Sequence, residues 1–361
     1  MPKLALIYGG ASSEHSVSCS TAAGINRVID KSEYEVIPVG ITKSGKFVLE
    51  PIPDQVSLDE WPEVSEDSPE LLFPIGGGEL RMASTGISLG KIDIAFPVVH
   101  GVNGEDGSLQ GLLQLCKIPY VGNGVLASAL AMDKAMAKKV FRDAGIAVAA
   151  DIVVTKQQWS SDPAAILQEA GKLFGEAVFV KPSRSGSSVG VSKVTKAEYK
   201  ESSSHLADAI KAAFTHDATV LIEEQMSGRE IECSVLERAD GSLSVSLPGE
   251  IIVHGREFYD YAAKYLGGSA ELLVPCELAE KDFAKLTNLA KAAFRAIGCS
   301  GLARTDFFLT KRGPYLTEVN TMPGFTPISM YPSLWAATGV DYQELVSILI
   351  EQGISQGSAP R

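Results

Sequence analysis

The chain has 361 residues, of which 45% are hydrophobic and 21% charged, a composition typical of a globular protein with about two or three domains. Its formal net charge of −12 argues against binding along a nucleic-acid backbone, although a few clustered Lys and Arg side chains can still bind an anion. The five cysteines are scattered without a CxxC pair, which argues against disulfides and a zinc site and favours a reduced, cytoplasmic protein.

The first predicted element is a buried strand at residues 4–8; no apolar run, this one included, is long enough to span a membrane. A Gly-rich turn and a helix ending at Val28 follow it, which is the start of an α/β unit. Ligands of open α/β sheets bind beyond the carboxyl ends of strands, where Glu14, His15 and, after a later strand, His100 lie. Glu14 could equally complement the dipole of the helix that follows it, and the role of His100 is left open.

Periodicity and turn signals predict the elements of the rest of the chain. The strands cover residues 34–41, 92–99, 152–155, 177–180, 191–194, 219–224, 231–237 and 243–247, and the helices cover residues 108–116, 132–142, 163–174, 198–214, 281–298 and 342–352. Residues 43–89 are rich in Pro and Gly and are predicted to form loops and short β segments. The aromatic and charged stretch 256–268 has no clear period and is predicted to be an Ω loop that closes on a ligand.

A Gly- and Ser-rich loop at residues 182–190 connects two of the predicted strands. It is not a Walker A loop, because it lacks G-x-x-x-x-G-K-[ST] and no helix follows it directly. One interpretation is a flap whose backbone N–H groups cover phosphates, with Lys181 reaching them from the preceding strand. The alternative is a flexible polar turn. Farther along, Glu223 and Glu224 end a buried strand, where they could contact a ribose or an adenine amine or simply be solvated.

A β-hairpin is predicted around a turn centred near Arg312, and its strands carry the charged residues that most strongly indicate chemistry. In this register Asp306 lies opposite Glu318. Arg304 lies opposite Asn320, and because strand side chains alternate, all four share one face. Two carboxylates and an amide oxygen form a sparse, hard oxygen set that suits Mg²⁺, which takes its other ligands from water and phosphates. The alternative is a hairpin with one solvated face.

Taken together, these motifs resemble the ATP-grasp fold and, within it, the D-alanine–D-alanine ligases. The segments that carry the resemblance, in one order through nearly the whole chain, are residues 9–18, 100–111, 132–134, 181–190, 258–265 and 304–325. The resemblance implies an α/β protein of three domains with ATP between the second and the third. These are an N-terminal Rossmann-like domain at residues 1–122 with the first D-alanine site, a central ATP-grasp domain at 123–226 with the phosphate flap, and a C-terminal ATP-grasp domain at 227–361 with the Ω loop and metal site.

The reaction that the resemblance implies has two steps. The carboxylate of one D-alanine attacks the γ-phosphate of ATP, and the amine of a second D-alanine then attacks the resulting acyl phosphate and expels phosphate. Phosphoryl transfer needs positioning and charge neutralisation, which two Mg²⁺ or Mn²⁺ ions on Asp306, Glu318 and Asn320 would supply, both bridged through Glu318. Arg304 and the backbone N–H of Gly324 would stabilise the tetrahedral oxyanion of the second step.

The other site residues are carried over from the same resemblance. Glu14 would bind the ammonium of the first D-alanine, and Ser329 with Lys264 would bind the carboxylate of the second. Glu14, Ser187 and Tyr265 would form a hydrogen-bonded latch that joins the N-terminal turn, the flap and the Ω loop. The implied nucleotide contacts are Lys134, Lys181 and Ser188 at the phosphates, Lys264 at the γ-phosphate, Glu223 and Glu230 at adenine and ribose, and Phe258 on the base. The family also implies a homodimer, without nucleic-acid or membrane partners.

Four alternative functions are weighed against this one. A ligase that makes D-alanyl-D-lactate is disfavoured by the Lys264-Tyr265 pair, and a ligase for another carboxylate is disfavoured by the Glu14-His15 turn together with Ser329. A non-catalytic nucleotide-binding regulator predicts the loss of a metal-binding or oxyanion residue, and none is lost. An NAD-dependent dehydrogenase lacks support because the first turn has no G-x-G-x-x-G.

Overall fold

The computed structural model describes residues 1–52, 62–253 and 270–360, which form an α/β protein. The strands of its N-terminal part are Lys3–Gly9 (β1), Glu35–Ile41 (β2), Phe47–Leu49 (β3), Leu71–Leu72 (β4), Glu79–Met82 (β5), Ser88–Lys91 (β6) and Ile94–Pro97 (β7), and the helices are His15–Val28 (α1) and Ser108–Leu115 (α2). One sheet has the order β3-β2-β1-β7, with β1 parallel to both β2 and β7, and β4 to β6 form a small separate sheet.

Strand β1 is buried on both faces, which explains its continuous apolar sequence. Leu4 and Leu6 on one face pack with α1 and with helices from the end of the chain. Ala5 and Ile7 on the other face pack with α2. Since β1 and β7 are parallel neighbours, the turn after β1 and the loop beginning at His100 emerge at the same edge of the sheet, as predicted.

The central part is a second, antiparallel sheet covered by helices. Its strands are Asp151–Thr155 (β8), Ala177–Pro182 (β9), Ser192–Thr195 (β10) and Thr219–Glu224 (β11), and the helices are Val125–Met132 (α3), Lys134–Asp143 (α4), Lys156–Ser161 (α5), Pro163–Leu173 (α6), Lys196–Glu201 (α7) and Ser204–Ala213 (α8). The strand order is β10-β9-β11-β8. Helix α4 begins at Lys134 because the Asp133 carboxylate accepts a 3.1 Å hydrogen bond from the Met136 N–H.

The C-terminal part is a larger antiparallel sheet that ends in the predicted hairpin. Its strands are Arg229–Glu237 (β12), Leu243–Val245 (β13), Gly249–Val253 (β14), Ala270–Leu273 (β15), Leu302–Thr310 (β16) and Gly313–Asn320 (β17), and the helices are Glu280–Ala296 (α9), Met330–Thr338 (α10) and Tyr342–Gln356 (α11). The order is β15-β14-β12-β16-β17, with β13 also paired to β12.

The structure corrects several of the predicted elements. The single helix predicted at residues 198–214 is wrong, because it is divided at Ser202–Ser203, where the Ser202 hydroxyl accepts from the Ser204 N–H at 3.1 Å. The strand predicted at residues 92–99 is shorter, and the final helix continues to Gln356. Strands β14 and β15 and helices α3, α5 and α10 were not predicted.

The last two helices belong to the core of the N-terminal sheet. Trp335 on α10 and Leu345 and Leu349 on α11 are buried in one cluster with Leu4 and Leu6 of β1. Burying one such side chain stabilises the fold by roughly 1.5–3 kcal/mol. None of the helices in the described part of the chain is long and apolar enough to cross a membrane.

Candidate active site

The hairpin of β16 and β17 has the predicted register at its charged end. Asp306 lies opposite Glu318, and Arg304 lies opposite Asn320. The pairing shifts immediately afterwards, because Phe307 is opposite Leu316, so Thr317 is an extra residue in β17. This bulge lets Leu316 turn into the apolar core while Glu318 stays on the opposite, polar face of the sheet.

The three predicted metal-binding side chains are in contact on that polar face. The Asn320 amide nitrogen donates to Asp306 Oδ2 at 3.0 Å and to Glu318 Oε1 at 3.4 Å. Rotating this amide by a half turn would present its oxygen to the same point. Within the described residues no cluster of three or more His, Cys, Asp and Glu could hold a metal by itself. Two carboxylates and one amide are an oxygen set of the kind that Mg²⁺ completes with phosphate and water.

Arg304 is held between two carboxylates of this face. Its Nε and Nη2 donate to both oxygens of Asp306 at 2.8 and 2.7 Å, and its Nε also lies 3.0 Å from Glu232 Oε2. Burial alone would lower the pKa of Arg304, but Asp306 and Glu232 outweigh burial and raise this pKa above its ordinary value. Glu232 was not predicted as a site residue, although it lies two residues after Glu230 and opposite Asp306 in the sheet.

The predicted nucleotide residues Lys181 and Glu223 form an ion pair with a third, unpredicted residue. Glu223 Oε2 lies 2.7 Å from Lys181 Nζ and 3.1 Å from Lys138 Nζ. Lys138 is 3% exposed and also lies 3.5 Å from Asp151, which contacts Arg142. Burial lowers the pKa of Lys138 to about 8 despite Glu223. Burial raises the pKa of Glu223, but Lys181 and Lys138 outweigh burial and hold it below its ordinary value.

The Gly- and Ser-rich loop, residues 183–191, reaches the N-terminal turn. Ser187 Oγ donates a 2.8 Å hydrogen bond to Glu14 Oε1, so the two latch residues that lie in the described chain are in contact. Ser187 and the neighbouring Ser188 both have left-handed backbones, with φ of 50° and 59°. The loop is anchored at its start by Arg184, which pairs with both carboxylate oxygens of Asp217 at 2.6 and 3.2 Å.

Lys134 connects this loop to the hairpin. Its ammonium donates to the Ser185 carbonyl at 2.8 Å and lies 3.9 Å from Glu318 Oε2. A cation at this position between the loop and the carboxylates can contact a phosphate bound over the polar face of the hairpin.

Glu14 lies against the loop that follows β7. Gly101 packs so closely on it that a Cβ atom there would be 3.1 Å from Glu14 Oε2, and the φ of +76° at Gly101 also favours glycine. His100 is 3% exposed, and its Nδ1 lies 3.2 Å from the Met322 carbonyl oxygen. His15 is also buried, with Nδ1 bonded to the Gly10 carbonyl at 2.6 Å and Nε2 accepting from the Val64 N–H at 2.9 Å. Both His15 nitrogens are therefore used inside the protein.

Gly324 and Ser329 lie side by side beyond the end of β17. A Cβ atom at Gly324 would be 3.3 Å from the Ser329 hydroxyl. Ser329 is also held by Thr326, whose N–H donates to Ser329 Oγ at 3.1 Å and whose hydroxyl is 2.7 Å from it. Phe325 is fully buried beneath this turn.

Three predicted site residues, Phe258, Lys264 and Tyr265, lie outside the described residues, as does the predicted Ω loop at 256–268. Glu230 lies on β12, half-buried and opposite Phe308. Its side chain points to the same face of the strand as Glu232.

Glu105 is a further half-buried carboxyl group close to this site. Its Oε2 accepts a 2.6 Å hydrogen bond from the Gly101 N–H, and the Met322 N–H lies close enough to this carboxyl group to lower its pKa. Burial and the nearby Glu14 and Glu318 carboxylates raise the pKa of Glu105 to about 8, although the two N–H groups oppose the rise. The sequence offered a signal here, since Glu105 lies in the segment 100–111 that carries the family resemblance.

Glu105→Gln is expected to become more stable relative to the wild type as pH rises from about 4.5 to about 8. In this window folded wild type retains a proton on Glu105 that the unfolded chain releases, so the stability contributed by this group is lost as pH rises. Gln does not titrate and avoids this loss. Melting temperatures of both proteins across the window measure the effect, with Asp106→Asn as the control on the same loop. A difference between Glu105→Gln and wild type that stays constant with pH would contradict the shift.

Comparison with known proteins was made for the whole chain. Residues 3–123 match the family model described as D-ala D-ala ligase N-terminus, and residues 140–351 match D-ala D-ala ligase C-terminus. The chain is 45% identical over its full length to the D-alanine--D-alanine ligase of Paenarthrobacter aurescens (strain TC1), covering 97% of that protein. It is 44% identical to that of Mycobacterium avium (strain 104), over 98% of this chain and 97% of the relative.

Solved structures are similar over almost the same length. The VanG D-Ala:D-Ser ligase from Enterococcus faecalis superposes with a TM-score of 0.84 at 33% identity, over 98% of this chain and 99% of that one. The D-alanine-D-alanine ligase from Coxiella burnetii superposes with a TM-score of 0.81 at 30% identity, over 99% of this chain and 96% of that one. The α/β architecture described above thus belongs to one known fold.

Proposed function

The chain belongs to the D-alanine–D-alanine ligase family, and from this premise we propose that it uses ATP to join two D-alanines into D-alanyl-D-alanine for peptidoglycan synthesis. The observation that carries the proposal is the similarity to D-alanine--D-alanine ligases along the whole chain. The contacts among Arg304, Asp306, Glu318 and Asn320 support it, because phosphoryl transfer to a carboxylate needs such a cation-binding face.

In the first step, the first D-alanine lies with its ammonium at Glu14, and its carboxylate attacks the γ-phosphate of ATP to give an acyl phosphate and ADP. Lys134 and Lys181 neutralise phosphate charge, and the loop at 183–191 covers the phosphates with its backbone N–H groups. Asp306, Glu318 and Asn320 would hold Mg²⁺ or Mn²⁺, which would supply charge neutralisation on the phosphates. Glu223 and Glu230 contact adenine and ribose, and Phe258 packs on the base.

In the second step, the amine of the second D-alanine attacks the acyl carbon, and phosphate leaves. Ser329 and Lys264 hold the carboxylate of this D-alanine. The tetrahedral oxyanion accepts hydrogen bonds from Arg304 and the Gly324 N–H, and such bonds stabilise it most strongly where water is excluded. Closing the loop against Glu14 and Tyr265 keeps water from hydrolysing the acyl phosphate.

We infer the finer properties of this proposal from what is typical of the family. They are two metal ions, which Asp306, Glu318 and Asn320 would hold, a homodimer, a cytoplasmic location and the three domains at residues 1–122, 123–226 and 227–361. Light scattering of the purified protein tests the dimer, and Mn²⁺ titration followed by electron paramagnetic resonance counts the ions.

Product analysis tests the function. The protein is incubated with ATP, Mg²⁺ and D-alanine, with or without D-lactate or D-serine, and products are identified by mass while released phosphate is counted. D-Alanyl-D-alanine with one phosphate per bond, also in the presence of the competitors, is the expected result. A depsipeptide or a D-serine product as the main species would retain the ATP site but refute the assignment of the second substrate.

Ser187→Ala is expected to lower kcat/KM for ATP by about tenfold, because it removes a hydrogen bond to the charged Glu14 that holds the loop closed. Steady-state kinetics at saturating D-alanine measures this effect. Ser185→Ala is the matched control, since its hydroxyl bonds only within the loop, to the Val189 carbonyl at 3.1 Å. Equal kinetics for Ser187→Ala and Ser185→Ala would contradict a role for the contact in closing the loop.

A further inference from the structure

The peptide group of Met322 is held on both of its polar atoms by side chains of the N-terminal part. His100 Nδ1 lies 3.2 Å from the Met322 carbonyl oxygen, 222 positions away in the sequence. The Met322 N–H faces the carboxyl group of Glu105 closely enough to lower its pKa. Both side chains come from the loop after β7, so one short segment of the N-terminal part contacts both polar atoms of the Met322 peptide group.

The contact with the Met322 carbonyl oxygen requires a hydrogen-bond donor, and His100 can supply one. Burial lowers the pKa of His100, so the ring is neutral near neutral pH and carries one N–H. The Thr21 hydroxyl lies 3.4 Å from Nε2 and can donate to it. Nδ1 then carries the hydrogen and donates to the Met322 carbonyl oxygen.

The segment from Met322 to Gly324 is short and fixed at each end. Before it, the Thr321 carbonyl accepts from the Asn123 side chain at 2.7 Å. After it, Phe325 is buried and its carbonyl accepts from the Tyr342 hydroxyl at 2.7 Å. Pro323 has no N–H, and the Met322 N–H faces Glu105. The Gly324 N–H has no acceptor within the described part of the chain. The position of this N–H depends on Met322, which lies two residues earlier in the same short segment.

We propose that His100 and Glu105 form a two-point clamp on the Met322 peptide and act as positioning residues that aim the Gly324 N–H at the acyl oxyanion. The clamp also reaches the first substrate, because Glu105 holds the Gly101 N–H at 2.6 Å and Gly101 packs against Glu14. The clamp thereby fixes the position of the Glu14 carboxylate, which binds the first D-alanine, relative to the Gly324 N–H, which stabilises the oxyanion. This inference rests on the proposed ligase reaction.

Two pairs of variants separate the clamp from general effects on folding. Glu105→Leu removes the acceptor at similar size, and Glu105→Gln retains an acceptor oxygen. His100→Leu removes the donor, and His100→Asn retains an N–H near the position of Nδ1.

If a Leu variant does not fold, Glu105→Asp replaces it, because Asp can stay hydrogen-bonded in its own loop but is one methylene too short to reach Met322. Asp106→Asn is the control, since Asp106 bonds only the nearby Asn103 and Ser108 N–H groups at 2.8 and 2.9 Å.

The measurements are kcat for dipeptide, KM for ATP, and ADP released per dipeptide formed. For the Leu variants or Glu105→Asp we expect kcat to fall by about 10- to 100-fold while KM for ATP stays unchanged. The number of ADP molecules released per dipeptide should exceed one, because a slower second step gives the acyl phosphate more time to hydrolyse. The Gln and Asn variants should restore most of kcat. If these residues only stabilised the fold, the number of ADP molecules released per dipeptide formed would not change.

The outcomes distinguish this inference from the proposed function. Wild-type protein that forms no dipeptide refutes the proposed function. Wild-type protein that forms dipeptide, together with folded Glu105→Leu or Glu105→Asp variants that retain kcat within twofold and an ADP ratio of one, refutes the clamp alone. Equal losses in the Gln and Leu variants would also refute it, because retaining the acceptor would then have no benefit.

Discussion

Replacing Glu318 with Gln is expected to lower kcat for dipeptide synthesis by about 10³-fold, a loss of roughly 4 kcal/mol of transition-state stabilisation. Glu318 and Asp306 supply the negative charge of the proposed cation site, and Gln keeps the size of the side chain while removing half of that charge. Stability should change little, because the Glu318 side chain is 29% exposed and its 3.9 Å contact with Lys134 is weak.

Turnover, melting temperature and Mn²⁺ affinity are measured together for Glu318→Gln. We expect weaker Mn²⁺ binding and an unchanged melting temperature. Glu351→Gln is the matched control, because it makes the same substitution at an exposed residue of α11. Turnover equal to the wild type in Glu318→Gln would remove the metal assignment for the whole carboxylate face.

Arg304→Met is expected to lower kcat by about 10²- to 10³-fold, the usual effect of removing one oxyanion donor. It should also destabilise the fold, because Asp306 and Glu232 would lose the guanidinium that lies between them. Breaking a buried ion pair in this way costs roughly 3–5 kcal/mol. Arg304→Lys should retain some stability but little turnover, since an ammonium cannot reproduce the two-pronged contact with Asp306.

The double variant Arg304→Met/Glu232→Gln separates catalysis from stability. Removing the unpaired Glu232 charge should recover much of the lost stability, as measured by urea denaturation, while turnover stays low. Recovery of turnover together with stability would show that Arg304 acts only through the fold, and the oxyanion role would be abandoned.

The predicted pairing at the charged end of the hairpin is confirmed, although the turn is not centred where it was predicted. The turn was predicted to be centred near Arg312, whereas Thr310 pairs with Gly313, so the true centre lies half a residue earlier. The bulge at Thr317 adds the missing residue and restores the pairing of Asp306 with Glu318. A bulge is decided by packing, here of Leu316 in the core, and has no local sequence signature in this strand.

The pairings around the site could not be predicted because they join distant segments. Lys138 reaches Glu223 from another element, and Glu232 meets Arg304 across two strands. The position of His100 directly after a strand marks it as a candidate, but its contact with Met322 depends on how the first and last sheets meet. Single residues with functional chemistry were recognisable from motifs, while the residues that position them became visible only through tertiary structure.

The shared core of the chain's two ends has a consequence for synthesis on the ribosome. The central core draws its buried side chains from residues 154–222, so that part can collapse as soon as it has emerged. The N-terminal sheet is made first, yet it needs Trp335, Leu345 and Leu349 to cover Leu4 and Leu6. Until residues 330–356 have been synthesised, α1 covers this face of β1 only in part, and the apolar surface that stays exposed favours aggregation of the growing chain.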